Sequence, residues 1–380
     1  MKRIGTRMRA MTAPGKYIQG PGEMDNLPKY TARFGENVLA IIGGTFYSVL
    51  SEKLKSLYPP SKITVERFDS KKKQATAVEI ARIAEKYRSG GFNAVVGIGG
   101  GKLIDVAKGV RHALKSAIII VPTSASSDAP TSALSVLYNE DGSHSHEVFY
   151  PTNPDIVLAD TSIIVQAPVR LFAAGMGDAL ATYIEVRACI QADAPNFVEG
   201  GCNRTLTGIA IAKLTYDVIL REGRRAKMAA EAKLCTKSFE DVVEANTLMS
   251  GLGFENNGST GAHGFQVGFS TLPQCKDMLH GELVAYGILC QMMLENADMQ
   301  EIETITKFLI DVGLPVTLAD IRIKDEIEEN IRAVAASMVG GYHMECEPFM
   351  VMQDMIYSAI LAADSMGRHF KQTHKQWEEI

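Results

Sequence analysis

A glycine triplet separates a strand pattern from a helix pattern in the first third of the chain. The apolar run 94–98 leads into Gly99–Gly101, and a helical pattern, 103–114, follows at once. Glycine lets the backbone approach a ligand closely, and the N–H groups and dipole of a helix N-terminus favour negative charge. Lys102 adds a cation, and Asp105 lies one turn further on, on the same face. The triplet therefore predicts a cradle for a polyanion such as a pyrophosphate.

Strand and helix patterns alternate on both sides of this turn, which indicates βαβ units, a doubly wound parallel sheet and an α/β nucleotide-binding domain. The usual G-x-G-x-x-G fingerprint is absent. Ligands of such sheets bind beyond the carboxyl ends of the strands, so we expect three strand ends to converge on one dinucleotide: 43–45, 99–102 and 122–128. The predicted strands are 14–22, 37–42, 63–68, 94–98, 117–121 and 155–159, the helices are 26–34, 47–57, 75–89 and 103–114, and a hairpin covers 132–150.

The character of the chain changes near residue 165. Ten of the fourteen prolines lie at or before Pro168, and strand-like runs disappear after it. Long helical patterns take over, at 208–221, 239–252, 283–296, 302–312 and 327–338. We therefore predict a disordered extension over 1–13, an α/β domain over 14–165 and an all-helical domain over 166–380.

Composition narrows the class of protein. The 380 residues carry a net charge of -5, which gives no basic surface for nucleic acid. No apolar run approaches the roughly 20 residues of a membrane span, and no apolar segment follows the basic first ten residues as in a signal peptide. The six cysteines form no C-x-x-C pair, which suits a reducing compartment. A cytoplasmic protein is expected.

Three residues of the helical half are candidate metal ligands. Asp178 lies among glycine, alanine and leucine, where an unpaired carboxylate is costly to bury. His263 and His280 also have small neighbours, which leave room for a ligand, and Glu282 is close to the second. One carboxylate and two imidazoles can hold a divalent ion with coordination positions left open. Each residue also has an ordinary structural role open to it: a helix N-cap for Asp178, and a core or interface histidine for the other two.

Several motifs together resemble the glycerol dehydrogenase family of the iron-containing alcohol dehydrogenase and dehydroquinate synthase-like superfamily. The resemblance implies an N-terminal nucleotide-binding domain and a C-terminal helical domain that bind NAD and zinc between them. It also implies a homo-oligomer, commonly an octamer. The motifs lie at 14–20, 97–102, 122–130, 132–136, 173–182, 251–255 and 280–282.

The family's functional residues carry over by motif. The resemblance implies that the zinc ligands are Asp178, His263 and His280, and that Asp128 orients the substrate. The nucleotide contacts implied are Gly99, Gly100, Gly101, Lys102, Asp105, Thr123, Ser126, Ser132, Leu134 and Tyr138.

The chain departs from the family pattern at three places. Thr182 stands where related iron enzymes have a fourth ligand, a histidine, which favours three ligands and zinc, although another divalent metal remains open. Gln266 and Val267 replace a histidine and an asparagine near the pocket, which leaves the choice of substrate open. Gly44 replaces the acid that bonds the adenosine ribose, so NADP is expected to be tolerated beside NAD.

These residues indicate a hydride transfer between a small vicinal diol and a nicotinamide cofactor. Glycerol and NAD, giving dihydroxyacetone and NADH, are the expected pair. Relatives acting on 1,2-propanediol, another hydroxyketone or glycerol 1-phosphate are the enzyme alternatives. A catalytically silent nucleotide-binding protein is the alternative of another class.

Overall fold

The computed structural model describes residues 7–44, 46–69 and 74–374. They divide into two compact units. The α/β unit contains Thr12–Ala167 and the short segment Lys233–Cys235. The helical unit contains Pro168–Ala232 and the chain from Thr236 onwards, together with the described residues up to Met11. The chain therefore passes between the units at the position where the proline-rich, strand-bearing part of the sequence ends.

The described residues of the α/β unit form eight strands and five α-helices. Its elements alternate as the sequence pattern predicts, and the long helices begin and end within two residues of the predicted bounds. They are β1 (Tyr17–Gly20), α1 (Leu27–Thr31), β2 (Val38–Gly43), α2 (Tyr47–Leu57), β3 (Ile63–Phe68), α3 (Ala77–Tyr87), β4 (Ala94–Gly99), α4 (Gly101–Leu114), β5 (Ala117–Pro122), β6 (Leu134–Tyr138), β7 (His144–Phe149), β8 (Ile156–Asp160) and α5 (Thr161–Ile164).

Six of these strands form one parallel sheet in the order β1-β8-β5-β4-β2-β3, and β6 pairs with β7 as an antiparallel hairpin. Successive residues of β2 pack into two different apolar clusters, with Ala40 and Ile42 on one side and Leu39 and Ile41 on the other. Both faces of the sheet are therefore covered, as in a doubly wound fold. The predicted fold class is confirmed. Because the chain order reverses at β2, the carboxyl ends of β2 and β4 form the switch point where ligands bind such sheets.

The helical unit packs long helices on one another. Its elements are α6 (Val169–Ala192), α7 (Leu206–Glu231), α8 (Lys237–Glu244), a π-helical turn (Ala245–Met249), α9 (Ser250–Asn257), α10 (Gly261–Ser270), α11 (His280–Leu294), α12 (Met299–Val312), α13 (Ile327–Met338), α14 (Tyr342–Glu345) and α15 (Gln353–Thr373).

Four helices of the described helical unit have no counterpart among the predicted ranges: α6, α10, α14 and α15. Helix α6 is buried along most of its length, so it lacks the polar face that reveals a helix by its periodicity. None of the predicted ranges covers the last part of the chain, which forms α15 and buries a stripe that includes Ile356, Ile360 and Ala363. His369 therefore lies on a packed helix, and His374 ends it.

The first residues of the chain were expected to be a disordered extension. Residues 1–6 lie outside the described residues. Of the others, Arg9 forms a β-bridge with Asn203 of the helical unit, and the Asn203 amide donates to the Met8 carbonyl at 2.8 Å. Within the described part of the chain, no helix is long and apolar enough to cross a membrane. The six cysteines, all described, are free thiols.

Candidate metal centre

Helix α6 places two carboxylates on one face of the helical unit. Asp178 and Glu185 are seven residues apart, which is two helical turns, and both are buried. The helix lies very close to the start of α11. A Cβ on Gly281 would lie 1.9 Å from the Ala174 carbonyl oxygen, and one on Gly177 would lie 2.5 Å from the Gly281 carbonyl oxygen. The glycines around the candidate ligands therefore leave room for a ligand and also allow the backbones of α6 and α11 to approach each other closely.

The three predicted ligands meet at this point. The Nε2 atom of His263, on α10, lies 3.3 Å from Asp178 Oδ1, and Nε2 of His280, the first residue of α11, lies 3.2 Å from the same oxygen. One ligand atom from each residue falls within 4.8 Å of the other two. Two ligands each about 2.0–2.1 Å from a tetrahedral zinc ion are separated by about 3.3 Å. The spacing therefore fits a shared ion.

The surroundings of Asp178 also fit a cation. Both of its carboxylate oxygens are buried, and neither accepts a hydrogen bond of acceptable geometry from the described residues, although the two histidines stand at ion-pair distance. Burial acts to raise the pKa of Asp178, but His280 and His263 outweigh burial and hold that pKa well below its ordinary range. An ionised, buried carboxylate with unused acceptor positions needs a positive partner.

Glu185 determines the orientation of His263. Its Oε2 lies 2.7 Å from His263 Nδ1, and its Oε1 accepts the backbone N–H of the same residue at 3.0 Å. A carboxylate on Nδ1 fixes the tautomer and leaves Nε2, the atom facing Asp178, as the metal-binding nitrogen. Burial would lower the pKa of His263, but Glu185 and Asp178 raise it well above its ordinary value when no ion is present.

The N-terminus of α10 is held by buried side chains. Four successive N–H groups at a helix start have no partner within the helix. Here the Thr260 and His263 amides donate to Glu185 Oε1, the Gly261 amide to Glu347 Oε1, and the Ala262 amide to Gln291 Oε1. All four are satisfied, which fixes the position of the helix that carries His263.

Two residues near the centre have structural roles instead of ligand geometry. Glu282 accepts the Leu279 amide at 2.8 Å, which caps α11, and both of its oxygens bind Arg170. Thr182, at the position of the fourth ligand in related iron enzymes, is buried with its hydroxyl 3.1 Å from that of Ser250. The exposed fraction rises from 1% for Asp178 to 17% for His263 and 43% for His280, so the centre is reached from the His280 side.

The predicted pyrophosphate cradle lies in the α/β unit, at the carboxyl edge of the sheet. Gly99 ends β4, Gly100 is the N-cap of α4, and Gly101 and Lys102 form its first turn. A Cβ on Gly99 would lie 3.0 Å from Leu103 Cβ, so glycine is needed where the helix packs against the strand end. This is the strand, turn and helix N-terminus that the sequence pattern indicated.

Several predicted nucleotide contacts are buried beside α4. Lys108 donates to the Ala129 carbonyl at 2.6 Å, to the Ser132 hydroxyl at 3.2 Å and to the Leu134 carbonyl at 2.8 Å, which ties the helix to the start of β6. Asp105 is buried, and burial raises its pKa to about 7. Burial likewise raises the pKa of Tyr138, at the end of β6, to about 12.

The remaining predicted contacts follow β5. The Thr123 amide donates to the Gly99 carbonyl at 3.0 Å, so this residue borders the glycine turn. The Ser126 hydroxyl lies 3.1 Å from that of Ser124. The Asp128 carbonyl accepts the amide and the hydroxyl of Thr131, and this residue is half-buried in the loop before β6.

Sequence reasoning missed two residues of the metal centre. Glu185 could have been found by its position two turns after Asp178 in an otherwise apolar segment. His343 is not among the predicted ligands, yet its ring stacks on that of His263, with the ring centres 6.3 Å apart. It comes from α14, 80 residues further along the chain, and no local pattern joins the two histidines.

Comparisons with known proteins agree with the fold and the motifs. The profile described as iron-containing alcohol dehydrogenase matches residues 14–161. The glycerol dehydrogenase of Citrobacter freundii is 41% identical over 96% of this chain and 99% of its own length. A glycolaldehyde reductase of Halobacterium salinarum is 35% identical over 94% of this chain and 98% of its own. A probable glycerol dehydrogenase from Sinorhizobium meliloti 1021 superposes with a TM-score of 0.90 at 40% identity, covering 95% of this chain and 100% of that one. The chain belongs to the glycerol dehydrogenase family of iron-containing alcohol dehydrogenases, and it is an oxidoreductase.

Proposed function

We propose that this chain oxidises glycerol to dihydroxyacetone with NAD, using a divalent ion held by Asp178, His263 and His280. One observation carries the proposal: three ligand atoms from three separate helices converge within 4.8 Å, and the carboxylate among them is buried and accepts no well-formed hydrogen bond from the described residues. The names of full-length relatives support the substrate, because the Citrobacter freundii protein is a glycerol dehydrogenase.

A divalent ion at this centre supplies Lewis-acid polarisation of a substrate hydroxyl and lowers the pKa of that hydroxyl. We propose zinc, because one carboxylate and two imidazoles with an open position are a donor set that zinc accepts. The buried Thr182 supports a set of three protein ligands over four. Iron, which the family name suggests, is the competing ion.

The chain's own residues hold and orient the reactants. Glu185 and the capped start of α10 keep His263 Nε2 directed at Asp178. The glycine turn and first helical turn of α4 bind the cofactor's pyrophosphate, and Asp128 orients a substrate hydroxyl. The reaction moves a hydride from the central carbon of glycerol to the nicotinamide and releases the hydroxyl proton, giving dihydroxyacetone, NADH and H⁺.

An initial-rate panel tests the proposal. Glycerol, 1,2-propanediol and dihydroxyacetone are assayed with NAD(H) and NADP(H), before and after treatment with a chelator and after return of zinc or iron. We expect glycerol oxidation with NAD that is lost on chelation and is restored by zinc. The proposal would be contradicted if the purified protein bound no divalent ion and reduced no nicotinamide cofactor with any diol.

Reduction of a small hydroxyaldehyde is the second candidate. The Halobacterium salinarum relative, matched over nearly the full length of both chains, is named a glycolaldehyde reductase. Glycolaldehyde also carries two oxygens on adjacent carbons. Comparing kcat/KM for glycolaldehyde and for dihydroxyacetone with NADH separates the two. Glycerol 1-phosphate is disfavoured, because the Arg170 guanidinium near the centre is already bound by both oxygens of Glu282.

We further propose that the protein works in the cytoplasm as a homo-oligomer, an octamer as in family members. Six free thiols suit a reducing compartment. Light scattering coupled to gel filtration measures the assembly, with one subunit of 41.3 kDa as the unit of mass.

A further inference from the structure

Strand β2 ends at Gly43, which a second glycine, Gly44, follows. The carboxylate of Asp69, the residue after β3, lies beside Gly44. Gly43 pairs with Phe68 in the parallel register of β2 and β3, and the Gly44 amide donates to the Phe68 carbonyl at 2.8 Å. A Cβ on Gly44 would lie 3.3 Å from Asp69 Oδ1 and 3.5 Å from Asp69 Cα. The Asp69 carboxylate therefore occupies the space beside residue 44 in which an acid at that position would place its own.

This carboxylate lies near the glycine turn. The strand order is β4-β2-β3, and neighbouring strands are about 4.8 Å apart, so Asp69 is roughly 10 Å from the end of β4. A Cβ on Gly43 would lie 3.7 Å from Gly99 Cα, which makes the two strand ends directly adjacent. In dinucleotide-binding sheets an acid at the end of the strand next to the glycine turn bonds the ribose hydroxyls, while the pyrophosphate occupies that turn. Gly44 holds this position here, and the Asp69 carboxylate lies beside it.

Three other charged residues near these strand ends, Asp160, Glu66 and Arg67, have contacts of their own within the protein. Asp160, at the end of β8, is buried and accepts the Gly22, Met24 and Ser162 amides. Glu66, on β3, which ends just before Asp69, binds Arg82, Lys86 and Tyr87. The guanidinium of Arg67 lies 5.3 Å from the centre of the Tyr47 ring. Asp69 follows β3, and its carboxylate lies beside Gly44, at the β2 side of the switch point.

We propose that Asp69 determines cofactor preference by accepting a hydrogen bond from the 2′-hydroxyl of the adenosine ribose. Its negative charge also repels the 2′-phosphate of NADP, so NAD is preferred although Gly44 has no carboxylate. The inference rests on the proposed function in one respect, that the cofactor is a nicotinamide dinucleotide. A hydrogen bond to a charged acceptor is strong enough to give a preference of about 10- to 100-fold.

Three variants test the assignment. Asp69→Ala removes the carboxylate, and the exchange Gly44→Asp with Asp69→Gly moves it one strand inwards without leaving two acids in contact. Glu36→Gln is the matched control, because Glu36 is an exposed carboxylate that precedes β2, at the amino edge of the sheet, where it pairs with Lys62. Dissociation constants for NADH and NADPH are measured by fluorescence titration without diol, alongside kcat/KM for NAD and NADP.

We expect Asp69→Ala to lower the preference for NADH over NADPH about 10- to 100-fold, the exchange to restore most of it, and Glu36→Gln to leave it unchanged. An unchanged preference in Asp69→Ala, or a wild-type protein that binds NADPH more tightly, would overturn the assignment. Nucleotide binding with the expected preferences but no diol turnover would contradict the proposed function alone. Binding of neither nucleotide would overturn both.

Discussion

Glu185 binds His263 through both of its oxygens, with Oε2 2.7 Å from Nδ1 and Oε1 3.0 Å from the backbone nitrogen. The same Oε1 atom accepts the Thr260 amide at 3.1 Å. One buried carboxylate therefore holds both the imidazole and the first turn of its helix. It is a positioning residue for the metal centre, because it acts on the ion only through His263.

The Glu185→Gln substitution keeps the shape and removes the charge. We expect zinc affinity to fall about 10- to 100-fold, because the imidazole loses the acceptor that fixes its tautomer. Competition with a chromogenic chelator measures the affinity. Glu301→Gln is the control, since Glu301 binds Arg187 and Tyr216 on neighbouring helices. Equal zinc affinity in wild type and Glu185→Gln would contradict the positioning role.

Zinc should stabilise the protein through Asp178. An ion that binds only the folded state adds about 2.7 kcal/mol to the free energy of unfolding when its concentration is 100 times its Kd. We expect chelation to lower the melting temperature of the wild type by several degrees and to leave Asp178→Asn unaffected. Differential scanning fluorimetry with and without chelator measures this. A chelation effect of equal size in Asp178→Asn would place the stabilising ion elsewhere.

Glu347 should make stability depend on pH. Burial, followed by repulsion from Glu295, raises the pKa of Glu347 from 4.5 to about 8. The folded state therefore keeps a proton that the unfolded chain loses first. The contribution is fully present below pH 4.5, declines as the pH rises, and is lost once the pH passes about 8.

Replacing Glu347 should reduce the pH dependence of the free energy of unfolding. We expect Glu347→Gln, with metal chelated, to lose less stability than the wild type between pH 5 and 8, by of the order of 2 kcal/mol. Urea unfolding at a series of pH values provides the measurement. Glu328→Gln, on the exposed face of α13, should follow the wild type. Parallel curves for wild type and Glu347→Gln would refute the buried proton.

A methyl group added at Gly281 should disrupt the contact between α6 and α11. In Gly281→Ala the added Cβ would lie 1.9 Å from the Ala174 carbonyl oxygen, so the helices must separate and carry His280 away from Asp178. We expect a loss of about 1–3 kcal/mol in the free energy of unfolding, together with a loss of zinc affinity. Gly20→Ala is the control, because its Cβ would meet only Glu23 Cγ, at 3.5 Å. Unaltered zinc binding in Gly281→Ala would contradict this role for the close approach.

Local patterns predicted much of the α/β unit. The alternation of apolar and polar residues in 63–68 and the helical repeat in 77–87 give each segment a preferred conformation within its own length, and the structure places β3 and α3 there. In the helical unit the same reasoning missed α6. Its residues are apolar nearly all round, because other helices cover it on several sides, so its periodicity carries little information.

The sequence by itself determined the doubly wound sheet, the glycine turn and the identity of the three candidate ligands. These depend on residue type and short spacing, or on motifs shared with a family. Only the tertiary structure decided that Asp178, His263 and His280 meet, that Glu185 orients one of them, and that Asp69 lies over Gly44. Each of these contacts joins residues from different helices or strands, and their distance in space follows from packing and strand order, which no local periodicity encodes.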